Sequence, residues 1–347
     1  MTVLQVCAYA APYEGNFIKS LKALSAKLSE KGIRQIYAFP ETAEKISWVI
    51  ELAKTAKVYF LPLSKARIRL GTYKALSAIF KENPDIVTAH SHFELYDVPL
   101  EITAPKGVKV FWHLHDALEV YSDLRNRFIN FVQYGFLHGR AKLLAVSDKN
   151  RDYVTKRGFP KKNAFVLPNG IDTERILKAE KPYGERKFDF LIFGWDYKIK
   201  GVDICLNAVK EYGLQYSVAI VTNNNLTDLP GNVVKIRPVK DVNSLYSETK
   251  CFLHISRAEG HSYALLESLY AGLPVICSDI PENGFASVMP TVVMTKTGDA
   301  GSVANAMQSV MKDLSAFDAF KEETRDIIEK KYSISAWVER VFEFYGI

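Results

Sequence analysis

Short apolar runs alternate with longer amphipathic ones along the first half of the chain. VLQVCAY (3–9) reads as a strand, and FIKSLKALSAKLSEKG (17–32) as a helix. In that helix Ile18, Leu21, Leu24 and Leu28 recur at three- and four-residue steps, and Gly32 is placed to end it. IYAF, VYFL, DIVTAH, VKVFWH, KLLAVS and AFVLPN supply further strands, mostly separated by helical stretches. Their valine and isoleucine runs lack clean polar alternation, the pattern of parallel strands covered on both faces by helices. The segment 172–189 is charged, contains Pro182 and Gly184, and has no strong apolar period, so it reads as a connection between domains. The cycle then restarts with FDFLIFG, YSVAIVT, NVVKIRP, CFLHIS, LPVICS and TVVMT. The expected architecture is α/β, with two Rossmann-like domains facing each other: an N-terminal domain over 1–171 and a C-terminal domain over 172–332. An amphipathic tail helix over 333–346 is free to pack back on the first domain.

Composition narrows the class. With 347 residues, 48 % hydrophobic and 24 % charged, the chain suits about two globular domains rather than a disordered, collagen-like or disulfide-built protein. Cys7, Cys205, Cys251 and Cys277 are too scattered for a zinc knuckle or a CxxC redox pair and read as buried thiols. No run approaches the roughly 20 apolar residues that span a bilayer. The first residues lack a basic leader, so the expectation is a cytoplasmic protein. The net charge of +6 suits an anionic ligand or an anionic membrane surface without specifying nucleic acid. Two basic runs stand out: Lys54, Lys57, Lys65, Arg67, Arg69, Lys74 and Lys81, and then Lys149, Arg151, Lys156, Arg157, Lys161 and Lys162. Either could touch anionic lipid headgroups or a lipid-diphosphate acceptor, or could simply be a solvated basic surface.

The densest polar signal is RAEGHSYALLESLYAGLPVICSD (257–279). It reads as a strand to about 255, a loop to 261, a helix over 262–271 capped by Ser262, then Gly272 and another strand. Ligands of open parallel sheets collect beyond the C-terminal strand ends and beside the following helix N-termini. Glu259 sits in such a loop. Glu267 lies further along the helix among Leu265, Leu266, Leu269 and Tyr270, where a carboxylate needs hydrogen-bond donors such as sugar hydroxyls.

Glu259 to Glu267, E-G-H-S-Y-A-L-L-E, resembles the glutamate–seven residues–glutamate motif of retaining glycosyltransferases of family 4, which have the GT-B fold. Ala271-Gly272-Leu273-Pro274 continues the likeness. Glu14-Gly15-Asn16 resembles the family's glycine loop with one glycine in place of two. The His90–Ser91–His92 strand end, the strand ending His113-Leu114-His115-Asp116, and Leu167-Pro168-Asn169-Gly170 are similar to further family segments. Phe193-Gly194-Trp195-Asp196-Tyr197-Lys198-Ile199-Lys200-Gly201 resembles the segment that binds a nucleotide diphosphate. Lys200 matches the family lysine, but Trp195 stands where an arginine is usual, so the second positive charge falls to Lys198 or to backbone amides. The Asp279–Gly284 loop also departs from the paired-glycine pattern, and Pro281 brings no amide hydrogen.

The resemblance implies transfer of a sugar, UDP-linked by preference, from a nucleotide diphosphate to a hydroxyl of a glycan or lipid-linked acceptor in bacterial surface glycan or glycolipid synthesis. It implies Lys200 on the diphosphate, Glu259 on donor-sugar hydroxyls, and Glu267 on ribose or the sugar pocket. It also implies His115 on the donor sugar; the adjacent Asp116 is placed to orient local polar groups. Gly15, Asn16, Gly194, Lys198, Gly260, His261 and Ser262 complete the expected donor contacts. Asn169 and Gly170 read as cleft formers, and His113 as a core residue. The His90/His92 pair lacks further ligands for a metal, and neither metal nor cofactor is expected. The alternatives are an inactive sugar-nucleotide-binding module and a nucleotide-sugar epimerase. A dinucleotide oxidoreductase lacks its GxGxxG, and Gly260-His261-Ser262-Tyr263-Ala264 misses the last glycine of a hydrolase elbow.

Overall fold

The computed structural model describes residues 1–62, 70–115, 124–239 and 241–347. Lys65, Arg67, Arg69 and Asp116 lie outside the described residues. Two compact units make up the chain: Met1–Gly170 together with Trp337–Ile347, and Ile171–Ala336.

Among the described residues the first domain holds seven parallel strands: β1 (Thr2–Cys7), β2 (Arg34–Pro40), β3 (Val58–Leu61), β4 (Ile86–His92), β5 (Lys109–Leu114), β6 (Lys142–Ala145) and β7 (Ala164–Val166), ordered β3-β2-β1-β4-β5-β6-β7. Every residue of β1 is buried, Thr2 and Gln5 included, as in a strand covered on both faces. The helices are α1 (Gly15–Glu30), α2 (Ser47–Ala53), α3 (Leu70–Glu82), α4 (Asp97–Thr103), α5 (Leu124–Phe136) and α6 (Asp148–Thr155). In α1 the buried stripe is Phe17, Ile18, Leu21, Leu24 and Leu28.

The second domain repeats the plan with β8 (Phe188–Phe193), β9 (Val218–Val221), β10 (Val233–Ile236), β11 (Thr249–His254), β12 (Val275–Ser278) and β13 (Val292–Thr295), ordered β10-β9-β8-β11-β12-β13 and all parallel. Its helices are α7 (Val202–Glu211), α8 (Asn243–Ser247), α9 (Tyr263–Tyr270), α10 (Ala300–Lys312) and α11 (Lys321–Tyr332). The last helix, α12 (Ile334–Tyr345), buries Trp337, Val338, Val341, Phe342 and Tyr345. Tyr345 is tied into the first domain: Gln5 Nε2 donates to its hydroxyl at 3.1 Å, and Lys109 Nζ donates to its carbonyl at 2.5 Å.

The segment 172–189, read from the sequence as a connection between domains, packs within the second domain. Ile176 and Ala179 are buried, and the Arg186 guanidinium donates to the carbonyls of Lys181, Thr249 and Ala179. A segment held by one buried arginine and a few small apolar groups leaves little periodic trace in the sequence.

In each sheet the strand order reverses once, between β1 and β4 and between β8 and β11. Loops leaving neighbouring strands on either side of such a reversal diverge, and the space between them is where open α/β sheets bind ligands.

Candidate active site

In the second domain the loops after β8 and β11 carry Lys200 and Glu259. Lys200 Nζ donates to Glu259 Oε1 at 2.6 Å, with the two side chains only 12 % and 8 % exposed. Ser256 Oγ donates to the same oxygen at 2.6 Å, and His254 Nε2 lies 3.6 Å from it. Burial pushes the Glu259 carboxyl up, but Lys200, His254 and the hydrogen bonds from Lys200 and Ser256 outweigh it. The net result is a pKa below the ordinary carboxylate range. An ionised carboxylate is a hydrogen-bond acceptor, not a proton donor, at neutral pH. His254 is held neutral by burial, with Lys200 pushing the same way, and its pKa falls to about 4.

The backbone makes this pairing possible at Gly201. It adopts φ +71°, and a β-carbon there would lie 2.2 Å from the Ile255 carbonyl oxygen, so the two loops touch backbone to backbone. Gly194 is similarly pressed, with a β-carbon position 2.3 Å from Val202 Cγ2.

The structure brings Lys198 to Asp203, at 2.8 Å, rather than to Glu259. Asp203 is also clamped by Arg257, at 2.7 and 3.0 Å, and Arg257 Nη1 donates to the Lys198 carbonyl at 2.5 Å. Arg257 is the guanidinium that sequence reasoning passed over. Its only signal was its place two residues before Glu259. Trp195 is exposed, and Lys200 Nζ lies 5.1 Å from its ring centroid.

Glu267 is buried in α9, accepting from Arg175 and, at 3.3 Å, from the Tyr246 hydroxyl. Neither partner was foreseen, because both lie far away in sequence. The Ser262 hydroxyl caps α9 by accepting from the Leu265 amide at 3.3 Å. The His261 ring packs on Phe285 and Tyr332, at 4.5 and 5.4 Å between centroids. Past β12, Pro281–Ala286 forms a 3-10 turn, and Asn283 Nδ2 donates to the Ser278 carbonyl at 3.1 Å.

In the first domain, four imidazoles share one face of β4 and β5: His90 and His92 at alternate positions, and His113 and His115 likewise. A proton assignment follows from Gln5. Its Nε2 donates to Gln35 Oε1 and Tyr345 Oη, so its Oε1 accepts from His92 Nε2 at 3.0 Å. His92 Nδ1 is then the acceptor toward His115 Nε2 at 3.1 Å. Asn169 hydrogen-bonds the His115 ring as well. His115 therefore presents ring edge and packing surface, against Phe17 at 5.2 Å and Phe93 at 4.4 Å, with its Nε2 proton already used. Burial lowers the pKa of His90 and His115 to about 3, and those of His92 and His113 well below the ordinary value.

Nitrogens of His90, His92 and His113 lie within 4.8 Å of one another. The His90 ring stacks on those of His92 and His113, with interplanar angles of 25° and 16°, His92 and His113 are tilted by 40°, and both His92 nitrogens are already hydrogen-bonded. Gly15 opens α1 at φ +59°, and Asn16 is buried in that first turn, next to Phe17.

The basic runs are partly neutralised. Lys54 pairs with Glu51, Lys57 with Glu82, and Arg151 with Asp148 and Asp152. Among the described residues no helix is long and apolar enough to cross a membrane.

Comparison with known proteins agrees domain by domain. Residues 19–175 match the family model Glycosyltransferase Family 4, and residues 187–313 match Glycosyl transferases group 1. The chain is 31 % identical over 160 residues to the O-antigen biosynthesis glycosyltransferase WclY of Escherichia coli, covering 40 % of this chain. It spans 44 % of the length of that relative. Among solved structures, Anabaena Alr3699/HepE in complex with UDP superimposes with a TM-score of 0.80 at 14 % identity, covering 100 % of both chains. A glycosyltransferase from Rickettsia africae ESF-5 gives 0.80 at 14 % identity, covering 99 % of this chain and 97 % of its own.

The fold is GT-B. Each domain matches a glycosyltransferase family model over part of the chain, and the second domain's β8/β11 reversal, where Lys200 meets Glu259, is a ligand-binding position by topology alone.

Proposed function

We propose that this protein is a glycosyltransferase that moves a sugar from a nucleotide-diphosphate donor, UDP-linked by preference, to a hydroxyl of a glycan or lipid-linked acceptor in bacterial surface glycan synthesis. The observation that carries the reading is the buried Lys200–Glu259–Ser256 group at the sheet reversal. The bound UDP of the Anabaena structure and the O-antigen role named for WclY support it.

In this reading Lys200 leaves Glu259 to meet the diphosphate, and the oxygen it vacates accepts from a donor-sugar hydroxyl. Each charge exchanges one partner for another, so neither is stranded in a dry site. Lys200 then stabilises the negative charge that grows on the leaving phosphate. Arg257, already beside the 198–200 backbone, is the second cation near that phosphate in place of the missing arginine. Glu267, held by Arg175, takes ribose hydroxyls, and Gly194, Gly260 and Ser262 offer backbone approach. In the first domain His115 shields the donor sugar by its ring edge, and Gly15 and Asn16 present helix-start amides. Transfer proceeds with retention, the leaving phosphate oxygen taking the acceptor proton. No step uses a metal. Exposed Lys156, Lys161 and Lys162 offer an anionic membrane surface a secondary contact.

The deciding experiment is a matrix of UDP-, GDP- and ADP-sugars tested for protection against thermal unfolding, followed by acceptor-dependent release of free nucleotide. UDP-sugar protection with release supports transfer. Protection without release would indicate a binding module, and release without an acceptor would indicate hydrolysis alone. Assigning the product anomer by proton NMR checks retention.

A further inference from the structure

The chain has four tryptophans. Three are buried, Trp48 at 5 %, Trp112 at 0 % and Trp337 at 2 % exposure, whereas Trp195 is 60 % exposed. Leaving an indole in water forgoes one of the largest apolar burials a side chain can make. Its backbone is nonetheless held firmly: the preceding Gly194 amide donates to the Val221 carbonyl at 2.9 Å, and Asn224 Nδ2 donates to the Trp195 carbonyl at 3.2 Å. The exposed ring is thus carried on an anchored stretch of backbone. Its centroid lies 5.1 Å from the Lys200 ammonium, which in turn is bonded to Glu259.

We infer that Trp195 is the stacking platform for a sugar ring of the acceptor, which makes the acceptor a glycan and not a bare lipid phosphate. The inference rests on the reading that Lys200 holds the donor diphosphate. In a retaining transfer through the leaving phosphate, the acceptor hydroxyl must approach on the phosphate's own side. The acceptor ring therefore lies next to whatever Lys200 holds. A pyranose presents a face of C–H groups there, and an indole is the side chain best suited to cover it while its edge stays wet. An arginine at this position would bring charge to the phosphate. The indole instead brings an apolar surface to the neighbouring ring, while Lys200 and Arg257 retain the charge.

The exposed indole is also its own reporter. Acrylamide quenching of tryptophan fluorescence in the full-length protein reports chiefly on Trp195, because the other three are buried. The test measures quenching with and without UDP in the presence of the methyl pyranosides of glucose, galactose, mannose and N-acetylglucosamine, with sorbitol as the open-chain control. Shielding by at least one pyranoside and not by sorbitol is expected. Trp195→Ala should weaken calorimetric binding of that pyranoside about tenfold, with Trp195→Phe recovering part of the loss and UDP affinity staying within about twofold of wild type. Shielding by none of the pyranosides, shielding by anionic vesicles instead, or an equal loss of UDP affinity in Trp195→Ala would each overturn the inference. Failure of UDP, GDP and ADP to protect the wild-type protein from unfolding would instead overturn the underlying donor-site reading, a separate result.

Discussion

A lysine and a glutamate 59 positions apart, both nearly removed from water, carry most of the chemistry assigned to this chain. Burying an ion pair without further compensation is costly, so the pair needs the Ser256 hydroxyl and a ligand to justify its place. Replacing Lys200 with alanine strands the Glu259 carboxylate and removes the charge that the proposed mechanism sets against the leaving group. A fall in kcat of roughly 10²–10³ is expected, the size seen when one preorganised stabilising donor is lost. Lys200→Arg should recover only part, since a planar fork does not reproduce a compact ammonium. Steady-state kinetics with a UDP-sugar check both, and an alanine variant with wild-type kcat would remove Lys200 from the mechanism. The glutamate pair stood out in the sequence because one carboxylate falls in a loop after a strand and the other among apolar helix neighbours, and Lys200 because of its resemblance to the family lysine. Arg175, Tyr246 and Arg257 did not, because a partner 92, 21 or 54 positions away leaves no local mark.

At the scale of elements, what aligns the two loops is close backbone contact. Gly201→Ala forces a β-carbon against the Ile255 carbonyl at a positive φ that alanine resists. A stability loss of roughly 1–3 kcal/mol is expected from the backbone conformation alone, more with the clash, together with weaker UDP-sugar protection. Denaturant melts with and without ligand measure the two effects separately. The β4–β5 pair makes a different prediction. His90, His92, His113 and His115 are neutral in the fold because burial first, and then, for His90, His92 and His113, neighbouring imidazoles hold their pKa values down, to about 3 where a value is assigned. The unfolded chain takes up these protons below its ordinary histidine pKa of about 6.5, so it binds more protons than the native state there. Stability should be fully present above about pH 6.5 and decline as the pH falls toward 4 and below. Calorimetry from about pH 7 to about pH 4 should show a steadily falling Tm. A flat Tm across that window would mean the imidazoles are not held neutral. The histidine spacing was legible as two HxH pairs, but their stacking was not, since it depends on β4 lying beside β5.

For the whole molecule, the last eleven residues belong to the first domain, although the chain has by then passed through the entire second domain. Helix α12 contributes Trp337, Val338, Val341, Phe342 and Tyr345 to buried surface, roughly 1.5–3 kcal/mol for each large side chain. It also supplies the Tyr345 hydroxyl to Gln5 and His90. Deleting residues 337–347 should therefore destabilise the domain carrying His115, 222 positions away in sequence. The expected result is a chain that aggregates or melts well below wild type, observed by scanning calorimetry and light scattering. A truncated protein with an unchanged melting profile would show that α12 is dispensable packing.

What the amino-acid order determined alone was local: the alternation of buried strands with amphipathic helices, its restart near residue 187, and the residue types at the ends of strands. Those depend on periodicity and on backbone preferences within a few residues. Tertiary structure alone decided the rest. It anchored the 172–189 segment to the second domain through the buried Arg186 side chain, returned α12 to the first, assigned Lys198 to Asp203, gathered four imidazoles and left one indole in water. Each of these is a contact between groups far apart in sequence, and the free energy of such a contact exists only once the sheet order has brought them together.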